Sequence, residues 1–146
     1  MSNIATAERR TPTSAATHSQ ALEATSPAHQ AFWILRVGFI AAPILAGLDK
    51  FFHVLVNWDK YLPPLVNNLV GGHGHTLMLV AGVIEMVAGI GVLLKPRIFA
   101  YVVAAWLAAI IVNLLLIPGY YDVALRDFGL LLGALALGRL SEVYAK

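Results

Sequence analysis

Four runs of about twenty predominantly apolar residues occupy the chain beyond residue 31, and they leave few folds open. A helix needs ~20 residues to cross a ~30 Å hydrocarbon core, and inside lipid every backbone N–H and C=O must be paired within the segment. The runs lie at about 32–53, 75–94, 98–117 and 123–140. Lys95-Pro96-Arg97 links the second to the third, and Pro118-Gly119-Tyr120-Tyr121 turns the chain into the fourth. The remaining connection, about 54–74, carries Trp58, Tyr61, Pro63-Pro64 and Gly71-Gly72. Its aromatic rings suit the headgroup region, and part of it is expected as a short helix along the surface. The expected fold is therefore all-α: one integral membrane four-helix bundle over residues 31–146.

Composition agrees. Of 146 residues, 59% are hydrophobic and 12% charged, with a mean hydropathy of +0.75, too little polar surface for a soluble domain. The chain has no cysteine, which excludes disulfides, thiolate metal sites, CxxC redox chemistry and thioether-linked haem. Electron transfer would then require a bound quinone, a His-ligated haem or a partner subunit. The net charge of +2 reflects basic residues flanking the spans rather than a nucleic-acid surface. There is no Gly-x-Ser-x-Gly elbow, P-loop or dinucleotide fingerprint behind a strand.

Residues 1–30 are rich in Ala, Thr and Ser, contain Pro12 and Pro27, and have few large apolar side chains. Such a segment buries too little surface to offset its ordering entropy, so a disordered tail is expected. An apolar core beginning at Phe32 is too distant and too long for a cleaved signal peptide. Arg9, Arg10, Arg36, Lys95, Arg97, Arg139 and Lys146 fall on the side of the termini, and only Lys50, Lys60 and Arg126 on the other. That asymmetry places both termini in the cytoplasm, with residues 47–74 on the opposite face.

Small residues and polar contacts must bring the spans together, because water cannot drive helix association in lipid. Each span offers a stripe at helical spacing: Gly38, Ala42 and Ala46; Met78, Gly82, Glu85 and Gly89; Ala105, Ala109 and Asn113; Asp122, Arg126, Gly129, Gly133 and Ala136. Pro43 should bend the first helix.

From the ~1.5 Å helical rise, Asp49, Asn113 and Asp127 lie roughly 6–8 Å below the outer surface and Glu85 roughly 15 Å, near the bilayer centre. An ionisable side chain at that depth costs ~2.5–3.5 kcal/mol on insertion scales, so it should face the bundle and find a partner. Lys50 and Arg126 are long enough to reach between the layers. The candidate polar cluster is Asp49, Lys50, Glu85, Asn113, Arg126 and Asp127. One reading makes it a set of ion pairs that locks the helices together. The other makes Glu85, Asp49 and Asp127 the walls of a polar cavity for a quinone headgroup, a small polar substrate or a proton, with Glu85 and Asp49 as candidate catalytic groups. His53, with His73 and His75 around Gly74, supplies imidazoles on one membrane side. His-x-His in a Gly-rich loop has low specificity, and neither haem nor a metal is expected.

These residues resemble the DoxX-like family of small four-span bacterial membrane proteins. The match runs through Leu35-Arg36-Val37-Gly38, Gly47-Leu48-Asp49-Lys50-Phe51, Gly82-Val83-Ile84-Glu85, Gly89-Ile90-Gly91 and Arg126-Asp127-Phe128-Gly129, over about residues 32–142. The long Ser/Thr/Ala tail and the Trp58/Tyr61/Pro63-Pro64 loop depart from a generic member. The resemblance implies a bacterial inner (plasma) membrane protein that is a subunit or accessory of an oxidoreductase, with a quinone connection like that of the family's subunit linked to thiosulfate:quinone oxidoreduction. The leading expectation is a non-catalytic membrane subunit whose partners are the lipid bilayer and other membrane protein subunits. The alternatives are a stand-alone quinone-binding or redox enzyme that moves protons through Glu85 or Asp49, and a small transporter or channel-like oligomer.

Overall fold

The computed structural model describes residues 26–145, so most of the expected N-terminal tail lies outside the described residues. Within them the chain is helical, without strands: α1 Pro27–Phe52, a 3-10 turn Trp58–Tyr61, the short α2 Pro64–Leu69, α3 Gly74–Leu94, α4 Pro96–Leu115 and α5 Tyr121–Tyr144. The long loop thus contains a short helix, as its composition suggests, preceded by a 3-10 turn.

α1 starts at Pro27, before the boundary expected near residue 32. Ser26 accepts a hydrogen bond from the His29 N–H at 3.2 Å, and Pro27 occupies the first helical position, where its missing N–H costs nothing. Pro27 therefore opens a helix instead of marking the tail. Pro43 lies inside α1, which runs unbroken across it. At the far end His53 adopts a left-handed backbone (φ 53°) and its N–H bonds the Asp49 carbonyl at 2.7 Å, closing the helix. The connection between α3 and α4 shrinks to Lys95, which caps both.

α1, α3, α4 and α5 form a ring in which α1 packs most closely on α3, and α4 on α5. Phe32, Phe39, Ala88, Val92, Ala100, Val103, Ala104, Ala134 and Leu137 fill its centre toward the end that holds the termini. Arginines finish the helices there: Arg36 Nη2 donates to the Leu93 carbonyl at 2.7 Å, and Arg97 Nη2 to the Glu142 carbonyl at 2.9 Å.

Of the four expected small-residue stripes, only the second is buried along most of its length. Gly82, Glu85 and Gly89 are buried, whereas Gly38, Ala42, Ala105, Ala109, Gly129 and Ala136 face outward. The inward residues are instead Phe32, Phe39 and Gly47 on α1, Ala100, Val103, Ala104 and Leu114 on α4, and Ala124, Asp127, Ala134, Leu137 and Gly138 on α5. At the α1–α3 seam backbone meets backbone: a Cβ on Gly47 would stand 2.5 Å from the Gly82 carbonyl oxygen, and one on Gly82 2.8 Å from that of Gly47. Nothing lies within 4 Å of a Cβ on Gly38 or Gly129.

Three of these helices, α1, α3 and α4, are long and apolar enough to cross a membrane. The outside of the ring is correspondingly apolar, with Ile34 and Leu94 each 72% exposed, while Lys50 is 3% exposed.

Gly82→Leu should force α1 from α3 and lower the detergent-solubilised protein's stability by about 1–3 kcal/mol or more, with Gly129→Ala nearly neutral. Thermal melts followed by circular dichroism compare the two.

Candidate functional site

At the end of the ring away from the termini, the seam opens onto a buried charge pair. Lys50 Nζ lies 2.6 Å from Glu85 Oε2, with side chains 4% and 9% exposed. The close approach at Gly47 and Gly82 makes this reach feasible, since the stem of Lys50 packs against Gly82. The other oxygen of Glu85 accepts from the Trp106 indole N–H of α4 at 3.2 Å. On the opposite side, the Trp58 ring covers the Lys50 ammonium, whose nitrogen is 3.8 Å from the ring centroid.

Trp58 joins this pair to Asp49. Its indole N–H donates to Asp49 Oδ2 at 2.7 Å. Asp49 Oδ1 accepts from the Val54 and Leu55 N–H groups, each at 2.9 Å, and Oδ2 from Val56 at 3.4 Å. Asp49 thus gathers the backbone donors of the segment leaving α1 and binds the loop to the helix that precedes it. Asn113 does a similar task on α4: its Nδ2 donates to the Tyr61 carbonyl at 2.8 Å, and the Tyr61 ring meets Tyr120 edge-on at 5.0 Å.

Of the six clustered residues expected from the sequence, the structure joins Asp49, Lys50 and Glu85 in one network. Asn113 ties down the loop instead. Arg126 and Asp127 form a separate neighbour pair at 3.4 Å, with the arginine side chain 68% exposed and the aspartate 10%. Where the second reading places a polar cavity walled by Glu85, Asp49 and Asp127, Lys50 and Trp106 each donate to one oxygen of Glu85. Trp106 went unnoticed in the sequence, although an indole N–H within an apolar run needs a buried acceptor.

The histidines also divide. His73 turns away, its Nδ1 3.1 Å from the Val70 carbonyl. His75 Nδ1 lies 3.1 and 3.3 Å from the oxygens of Asp59, and its ring stacks on that of His53 with centroids 5.8 Å apart. Asp59, which sequence spacing does not connect to these histidines, completes a group whose ligand atoms all lie within 4.8 Å of one another.

Two open clefts flank these groups. One, about 350 Å³, is lined by Asp59, Leu62, Pro64, Asn67, Gly74 and His75. The other, about 360 Å³ and almost wholly apolar, is lined by Leu45, Leu48, Asp49, Phe52, Val54 and Leu55. Comparisons with protein-family models, with curated proteins and with solved structures find no match for the chain.

The Lys50–Glu85 pair should behave as an inseparable unit. Lys50→Met or Glu85→Leu alone leaves a buried charge unpaired and should cost ~3–5 kcal/mol, whereas the double variant should recover a large part of that loss. Trp106→Phe removes one hydrogen bond to a charged group and should cost about 1.5–3 kcal/mol. Chemical or thermal unfolding in detergent across this cycle measures each term.

Proposed function

We propose that the chain is a non-catalytic integral membrane subunit that docks to the other subunits of an oxidoreductase or electron-transfer complex, as its resemblance to the DoxX-like family implies. The observation that carries the non-catalytic part is the saturation of the buried network. Both oxygens of Glu85 are occupied by donors from the protein itself, the Lys50 ammonium sits between Glu85 and Trp58, and Asp49 receives four donors. Groups so engaged hold α1, α3, α4 and the loop in register, with the Glu85 carboxylate already paired to an ammonium and an indole N–H. The apolar cleft bounded by Leu45, Leu48, Phe52, Val54 and Leu55 supports a contribution to a quinone pocket shared with a partner, since it offers a wall for a ring or isoprenoid tail and almost no polar surface.

In this reading α5 is a fourth span, the protein sits in a bacterial inner membrane, and both termini are cytoplasmic. Between Asp127 and Arg139 the helix carries no charged residue, and Arg126 and Arg139 are long enough to extend toward the two interfaces. Asp122 and Glu142 lie farther out along the helix, toward the two headgroup regions.

Two experiments test the proposal. Reporter fusions at the N- and C-terminus should both report the cytoplasm; termini on opposite sides would remove α5 from the membrane and with it the four-span reading. Purification of the intact protein in mild detergent should yield a complex that contains a flavin-, haem- or iron–sulfur-bearing subunit and bound quinone. Recovery as a cofactor-free monomer, with all respiratory activities of a deletion strain intact, would refute the accessory role.

A further inference from the structure

We infer that His53, Asp59 and His75 form a binding site for one divalent transition-metal ion of the zinc class, at the loop end of the bundle and outside the buried charge network. The three side chains come from three separate elements: the residue that closes α1, the 3-10 turn, and the first turn of α3. Their ligand atoms nevertheless converge to within 4.8 Å of one another. Ligand atoms around a tetrahedral zinc at ~2.0–2.2 Å stand roughly 3.3 Å apart. The 3.1 Å separation of His75 Nδ1 from Asp59 Oδ2 is close to such an edge, and the ligand atom of His53 lies within 4.8 Å of both.

Each ligand is held by bonds of its own backbone. The left-handed conformation of His53 is fixed by its N–H bond to the Asp49 carbonyl at 2.7 Å, in a region of backbone space that few non-glycine residues enter. Asn57 Oδ1 receives the Asp59 N–H at 3.1 Å and so sets the 3-10 turn. Asn67 Oδ1 receives the Gly74 N–H at 3.0 Å, which anchors the start of α3 next to His75. An exposed His–Asp pair by itself is an ordinary surface contact. A second imidazole, carried by the residue that closes α1, stacks on the first, and parallel rings at this spacing make no hydrogen bond to each other.

The donor set selects the ion. Two imidazoles and one carboxylate suit zinc, cobalt, nickel or copper, whereas calcium and magnesium prefer oxygen ligands throughout. On binding, the metal takes the place of the contact between His75 and Asp59. Asp59 and His75 also line the 350 Å³ cleft, which gives water or a small anionic ligand a route to the ion. The site does not depend on the accessory-subunit reading, because its ligands are all in one chain.

The test uses the full chain, free of any histidine tag, purified in detergent and stripped with EDTA. Calorimetric titration with Zn²⁺ and visible absorption with Co²⁺ should show one ion per chain and the intense d–d bands of a low-coordinate site. Asp59→Asn, His75→Asn and His53→Asn should each weaken Zn²⁺ binding by about tenfold or more, with His73→Asn within about twofold of the wild type. Asparagine tolerates the left-handed backbone at position 53, and Asp59→Asn changes only an exposed turn, so helicity should be retained. Ca²⁺ should not compete. Binding that His75→Asn and Asp59→Asn leave unchanged, or that His73→Asn weakens as much as His75→Asn, would overturn the assignment.

Discussion

A lysine and a glutamate buried between two apolar helices cannot remain apart. In a medium of low dielectric each isolated charge costs several kcal/mol, and the cost is offset only when the two meet in good geometry with their remaining hydrogen-bonding capacity used. The Lys50–Glu85 contact at 2.6 Å fixes the rotation and register of α1 against α3 in a way that apolar packing alone does not. It depends on the glycines beside it. Gly47 and Gly82 let the two backbones approach so closely that Lys50 reaches across instead of snorkelling toward water. Once the pair is formed, Trp106 and Trp58 supply the donor and the ring that complete it, drawing in α4 and the loop. Asp49 then organises the backbone of the loop itself.

The two ends of the ring are therefore built on different principles. Toward the termini, packing of Phe32, Val92, Ala100 and Leu137 holds the helices, and Arg36 and Arg97 finish the terminal carbonyls. Toward the loop, specific polar contacts do the same task. Close helix approach recurs toward the termini: Gly89 lies against Ile40 and Ile44, Gly91 against Phe99, and Gly138 against Tyr101. Small residues admit a neighbour's backbone or ring, and the larger aliphatic side chains turn outward.

The existence of the helices was legible in the sequence, because segments of about twenty apolar residues interrupted by Pro, Gly and charge allow little else. Their inward faces were legible only where a charge had to be buried, at Glu85. A helix in lipid is apolar on every side, so the 3.6-residue contrast that marks the buried face of a soluble helix is missing. Gly38-Ala42-Ala46 and Met78-Gly82-Glu85-Gly89 look equivalent as patterns, yet the first faces outward and the second packs, because only the second carries the charge that must be partnered. Depth estimates put Asp49, Asn113 and Asp127 in one layer but could not supply rotation. The structure divides that layer among a loop anchor at Asp49, a carbonyl contact at Asn113 and the local pair of Arg126 with Asp127. Likewise, His73 and His75 differ by two positions at the entry to a helix, and the turn of the backbone sends only His75 toward Asp59.

Saturation in one place and availability in another follow from the same geometry. The deep carboxylate is neutralised and hydrogen-bonded by side chains that hold the helices, so protonating it or withdrawing Lys50 would disturb the helix packing itself. A reactive group needs the opposite arrangement: a fixed position with some capacity unused. The loop that Asp49 and Asn113 fasten to the bundle provides this, because it presents Asp59 beside the imidazoles at the ends of α1 and α3 while leaving their outer sides open. The buried charges thus act on the exposed groups at a distance, by making a loop of about twenty residues rigid enough to hold a constellation.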